Sequence, residues 1–152
     1  IELPSSCTAI RDEAFASCTS LKQIVFNDGI AVISNGAFSG CTALEQLDFP
    51  QSLRHIYEEA FKDCNALKTV TLPEGVVEIK GCAFENCSAL SNVFLPSSLM
   101  FLRAKSFYFC TSLDEIEYQG SVADFESKVD VGTLAIHLGV RIICTDGEIV
   151  IE

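Results

Sequence analysis

Six apolar positions of this chain return every 23 residues without an insertion, and that strict period limits the fold more than any other feature. Phe15, Phe38, Phe61, Phe84 and Phe107 keep the step, as do Cys18, Cys41, Cys64, Cys87 and Cys110. So do Leu21, Leu44, Leu67, Leu90 and Leu113, and Ile24, Leu47, Val70, Val93 and Ile116. Phe26, Phe49, Leu72, Leu95 and Tyr118 form a fifth series, and Ile10, Ile33, Ile56, Ile79 and Leu102 a sixth. A unit this short cannot bury an apolar stripe alone. The units must stack, each supplying the next with an apolar wall and parallel strand partners, and the product is a solenoid.

One unit, from residue 44, reads LEQLDFPQSLRHIYEEAFKDCNA. Leu47 and Phe49 alternate with Gln46 and Asp48, the period of a half-buried strand. Pro50, like Pro73 and Pro96, lacks the amide proton that pairing needs and ends the strand. A second short extended piece ends at Ile56. The following EEAFKDC stretch places Ala60, Phe61 and Cys64 at helical spacing, which predicts roughly one helical turn with those three side chains on one face.

The pattern LxxLxLPxxLxxIxxxAFxxC, carried by nearly five units between residues 1 and about 118, resembles the BspA-like class of bacterial leucine-rich repeat. The resemblance implies an α/β repeat: a right-handed solenoid with a parallel sheet on one face and short helical turns and extended segments on the other. It also implies exported bacterial proteins engaged in adhesion and protein contact, not catalysis. The tail, YQGSVADFESK followed later by IICTDG, is similar to the C-terminal cap of such arrays. The expected organisation is a solenoid over 1–118, with its first unit truncated, and a cap over 119–152. Ser121 and Asp124 have capping-box spacing, predicting a short helix. Asp146–Gly147 is a favoured two-residue turn between VRIIC and EIVIE, predicting a hairpin.

Composition removes several function classes. The 152 residues carry a formal net charge of −11, a field that repels phosphate backbones and anionic lipid surfaces. There is no apolar run of the roughly 20 residues that a membrane span requires. The chain opens at Ile1 and not at methionine, so a segment upstream is expected to have been removed.

The eight cysteines pose the main chemical question. In a stack of constant period, residues 23 apart lie about 5 Å from each other, the inter-strand spacing. Parallel Cβ vectors then hold the Cβ atoms near 5 Å, where a disulfide prefers about 3.8 Å. The five repeated thiols are expected to be free, buried, small apolar fillers behind the Phe series. No pair has the CxxC spacing of a zinc site, and no metal or cofactor is expected. Cys82 stands out of register and is expected to be partly exposed, and Cys7 occupies a core slot. His55 falls in an extended piece where other units carry Val32, Glu78 and Phe101. A dyad of His137 and Cys144 is the one conceivable nucleophile, with a surface histidine and a core thiol as the simpler reading. The CTDGE stretch is too short for calcium. Phosphate loops and paired catalytic acids are missing, so no catalytic residue is assigned.

Binding is expected on the outward strand positions, which form two columns. One holds Gln23, Gln46, Thr69, Asn92 and Glu115, the other Val25, Asp48, Thr71, Phe94 and Glu117. Phe94 is either an anchor on a polar face or a side chain covered by its neighbours. Met100, Phe101, Tyr108 and Phe109 form a second apolar cluster, read as a seat for the cap or as an interaction patch. The function expected is a non-enzymatic protein-interaction module of a secreted or cell-surface bacterial protein, contacting a host or bacterial surface protein; the alternative is a structural spacer or self-assembly unit. A thiol-based redox protein would instead show a rapidly alkylated cysteine.

Overall fold

The computed structural model describes residues 1–152 and is a β-solenoid. Its strands in chain order are β1 (Ala9–Ile10), β2 (Gln23–Val25), β3 (Val32–Ile33), β4 (Gln46–Asp48), β5 (His55–Ile56), β6 (Thr69–Thr71), β7 (Glu78–Ile79), β8 (Asn92–Leu95), β9 (Phe101–Leu102) and β10 (Glu115–Tyr118). The short odd-numbered strands pair in parallel in the order β1-β3-β5-β7-β9 and form one wall. The longer even-numbered strands form a second wall. Every pairing follows the 23-residue register, for example Ile33 with Ile56 and Val70 with Val93.

The alternation of each long strand explains its position. In β6, Val70 is fully buried between exposed Thr69 and Thr71. The inward residues of all coils join one apolar core running the length of the stack.

The AFxxC phrase forms the third wall, and its backbone is not the helical turn expected from the spacing. Ala60, Phe61 and Cys64 do share a buried face, but the residue just before each phrase and the residue just before its cysteine adopt left-handed backbone. They are Glu13, Gly36, Glu59, Cys82 and Lys105 at the first position, and Ser17, Gly40, Asp63, Asn86 and Phe109 at the second. The reason lies in the hydrogen bonds. A helix would direct its amides along its own axis, whereas here Gly36, Phe38 and Gly40 donate to the carbonyls of Glu58, Ala60 and Lys62 in the next coil. Left-handed residues turn alternate amides toward that neighbour, so stacking satisfies backbone groups that a lone turn would leave unpaired.

Side chains reinforce the stack. The rings of Phe15, Phe38, Phe61, Phe84 and Phe107 lie nearly parallel, with successive centroids 5.1, 5.2, 5.2 and 5.6 Å apart. All eight cysteines are free. Cys41, Cys64, Cys87 and Cys110 donate their S–H to the carbonyls of Phe15, Phe38, Phe61 and Phe84 in the preceding coil, at 3.1, 3.3, 3.2 and 3.1 Å. The thiol is therefore more than a filler: it is a small apolar group that also ties one coil to the last.

The C-terminal segment closes the stack. Helix α1 (Val122–Lys128) starts at Ser121, whose hydroxyl accepts from the Asp124 amide at 3.1 Å. Tyr118 Oη donates to Asp124 Oδ2, and Lys128 Nζ donates to the same oxygen at 2.8 Å and to Ser97 O at 3.2 Å, fastening the helix to the last two coils. A 3-10 turn over Val131–Leu134 follows, and its Thr133 carbonyl accepts the Lys105 amide, as a further coil would. β11 (Arg141–Cys144) then pairs in parallel with β10, and β12 (Gly147–Val150) pairs antiparallel with β11.

The hairpin turn is Thr145–Asp146, one residue before the expected Asp146–Gly147. Tertiary contacts account for the shift. Asp146 Oδ1 accepts the Val122 amide at 2.8 Å, and the Thr145 amide donates to Gly120 O, so both turn residues are held by the start of α1.

Candidate binding face

The outer face of the long-strand wall is assembled by register. Gln23 stands beside Gln46 and Val25 beside Asp48. Thr69, Asn92 and Glu115 follow in one row, and Thr71, Phe94 and Glu117 in the other. Val25, Gln46, Asp48, Thr69 and Thr71 are exposed; Asn92, Phe94 and Glu117 are half-buried. Phe94 lies between Thr71 and Glu117 in register and is half-buried.

Sequence reading missed that this face continues into the cap. Glu115 pairs with Arg141 and Glu117 with Ile143, and beyond them stand Val150 and Glu148. Arg141 is ion-paired with Glu115 and lies 3.7 Å from Glu148. Ile143 is half-buried in the same row as Phe94, so two apolar side chains flank Glu117. The alternation in VRIIC was the available signal, but which strand it would join was not.

The face is also interrupted. No strand pairing joins β4 to β6. Elsewhere Ser91 donates its amide to Lys68 O and Leu72 donates to Phe94 O, but the equivalent amides of Lys68 and Phe49 have no backbone partner. A groove of about 550 Å³ opens there, lined by Glu45, Gln46, Asp48, Lys68, Thr69 and Thr71 among others. It reaches the core edge, since its lining residue Leu47 is 9% exposed where the equivalent Val70 and Val93 are at 0%. Gln46, Asp48, Thr69 and Thr71 of the columns thus rim a cleft and not a continuous sheet.

Electrostatically the face is acidic. Glu45, Asp48, Asp114, Glu115, Glu117 and Glu148 outnumber Lys22, Lys68 and Arg141.

The other wall and the thiols have a different character. His55 lies on β5 with Nδ1 4.0 Å from Glu78 Oε2 in the next coil and without a hydrogen bond. His137 is exposed, while Cys144 is buried in β11, its thiol pushed up by burial and by Asp146. Burial raises the Cys41 thiol to about 11 and the Cys64 thiol further, and Cys87 is raised by its neighbour Cys110 and by burial. Cys82 is half-exposed as expected, yet burial and Glu85 hold it at about 11. Cys7 and the first ladder thiol, Cys18, are half-buried and not the core residues expected, because the first coil has none stacked before it.

The second apolar cluster meets the cap only at its flank. Ala135 and His137 approach Tyr108 and Cys110 around a groove of about 240 Å³. Phe109, its ring tilted against Tyr108 with centroids 4.0 Å apart, remains 55% exposed, and Met100 and Phe101 are exposed too.

Comparison with known proteins agrees with this architecture. The BspA-type leucine-rich repeat region matches residues 1–114 in six copies, and the chain belongs to that family. A leucine-rich cell-surface protein of Faecalibacterium prausnitzii is 32% identical with a TM-score of 0.81, over 84% of this chain and 34% of its own. The leucine-rich repeat protein of T. pallidum is 29% identical with a TM-score of 0.75, over 77% of this chain and 57% of its own. The pneumococcal vaccine antigen PcpA, 24% identical over 96% of this chain and 36% of its own, shares the fold with a TM-score of 0.87. The chain spans about a third to somewhat over half of these structures. A search of curated proteins finds no match. The repeat solenoid is a scaffold type whose extended surfaces carry protein contacts. No helix is long and apolar enough to cross a membrane.

Proposed function

We propose that this chain is a non-enzymatic protein-recognition module of a bacterial cell-surface or secreted protein, acting in adhesion or host interaction through the outer face of its long-strand wall. The contact residues are Val25, Asp48, Thr71, Phe94 and Glu117 in one row and Gln46, Thr69 and Asn92 in the other, extended by Arg141 and Ile143. One observation carries the reading: these side chains are stacked as regularly as the core but differ from coil to coil, and they surround a cleft and a half-buried aromatic. The excess of carboxylates matches a cationic protein surface, and Phe94 with Ile143 supplies the apolar contact at its centre. Cell-surface relatives support the location.

Binding of purified host matrix and bacterial surface proteins to the wild type, to Phe94→Ala, to Glu117→Lys and to Arg103→Ala, whose guanidinium follows β9 and ion-pairs with Glu78 of β7 on the short-strand wall, tests this. A partner should bind the two face variants at least tenfold more weakly and Arg103→Ala unchanged, with circular dichroism confirming the fold. A partner indifferent to the face variants but lost with Arg103→Ala would move the site to the short-strand wall.

A further inference from the structure

Between Glu85 and Asp114 the chain has no Asp or Glu, and the coil inside that gap, from Leu90 to Ser112, is the one repeat that carries only cations, Arg103 and Lys105. Its outward side chains turn the corner from the short-strand wall to the AFxxC wall. Met100 and Phe101 are 53% and 40% exposed, and Phe109 is 55% exposed. The two cations lie against rings of the same coil: Arg103 Cζ is 4.6 Å from the Phe101 centroid, and Lys105 Nζ is 5.5 Å from that of Tyr108. Arg103 engages Glu78 of the preceding coil through Nε and Nη2, which leaves Nη1 free. Lys105 is exposed and has no acidic residue in its own coil. Phe109 is the costliest member. Other coils put Ser17, Gly40, Asp63 or Asn86 in its left-handed slot, so a ring held there strains the backbone, and its exposure returns little burial. Further coils stack on the ends of a solenoid and leave its flanks open.

We propose that this coil is a second binding site, separate from the acidic long-strand face, for a partner-protein segment that carries carboxylates beside apolar side chains. Charge selects the occupant. On a chain of net charge −11 an acidic segment is repelled almost everywhere and meets cations without competing carboxylates here. Its carboxylates bond the free donors of Arg103 and Lys105. Its apolar side chains cover Met100 and Phe101 and enter the groove of about 240 Å³ that Tyr108 and Phe109 border. A polyanion without apolar groups would leave the exposed rings in water, which is why a peptide fits better than a sulfated sugar.

Titration of the whole chain with the synthetic peptide EEFEEFEEF, followed by amide chemical shifts and calorimetry, tests the proposal. The peptide should bind with shifts concentrated over Met100–Phe109, and more weakly in 0.5 M than in 0.05 M NaCl. EESEESEES and a sulfated oligosaccharide of equal charge should bind at least tenfold more weakly than EEFEEFEEF. The cationic peptide KKFKKFKKF should go to the long-strand face instead, so failure of that face and failure of this coil are separate results. Residues taken from other coils give variants that keep the fold: Lys105→Glu copies Glu13 and Glu59, and Phe109→Asn copies Asn86. Each should weaken EEFEEFEEF about tenfold, and Phe109→Asn should do so while melting at a higher temperature. No binding at millimolar peptide, shifts that fall outside this coil, or equal binding by Lys105→Glu and the wild type would overturn it. So would EESEESEES or the sulfated sugar binding as tightly as EEFEEFEEF.

Discussion

The Phe series and the outer column share one period and one register but not one rule. At each coil a phenyl ring meets the same ring of its neighbours, while along the outer face Asp48, Thr71, Phe94 and Glu117 succeed one another without common chemistry. Stacking alone therefore does not impose identity. It does so where the stacked groups are buried, because a closed interior of fixed cross-section admits one volume at each position. On the face, register holds each side chain in place and leaves its type to the ligand.

Changing Phe61 to Ala attacks the first half of this contrast. It removes a ring stacked on both sides, and it should lower stability by about 3–5 kcal/mol in urea denaturation. Cys64→Ser keeps the hydrogen-bonding partner but places a hydroxyl in an apolar ladder, for a loss of roughly 1–3 kcal/mol. In the wild type, native Cys64 should resist iodoacetamide even at pH 9, since burial disfavours its thiolate; rapid labelling would mean the ladder opens.

Phe109 sits where the two halves meet. It takes the left-handed backbone that Gly40, Asp63 and Asn86 take in other coils, at about 1 kcal/mol or more for a bulky residue, and its ring is exposed. Phe109→Asn should therefore raise stability by about 1 kcal/mol in thermal melts. The smallest effect is expected on the face, where Thr71→Val should change stability by under about 0.5 kcal/mol. A larger loss there would show that the outer column carries packing after all.

Most of the solenoid was legible because its information is local and repeated. The Leu47 and Val70 alternation marked strands, the prolines marked their ends, and the constant step marked the stack. The backbone of the AFxxC phrase was misread as helical because i, i+3, i+4 burial is common to a helix and to linked turns. Gly36 and Gly40, with Asp63 and Asn86 in the second slot, were the trace of left-handed backbone that could have told them apart. For the face, both columns could be read from alternation. The break between β4 and β6, and the rows' continuation onto Arg141 and Ile143, could not, since each depends on how a strand meets a partner distant in the chain.

Period, strand positions, the buried ladders and the capping helix followed from the order of residues alone, since each rests on neighbours within a single unit or on the exact repetition of that unit. Packing in three dimensions settled the thiol-to-carbonyl bonds between coils, the groove in the face and the one-residue shift of the hairpin turn. Those features arise where groups from different coils compete for the same hydrogen bonds or the same space, and that competition has no counterpart along the chain.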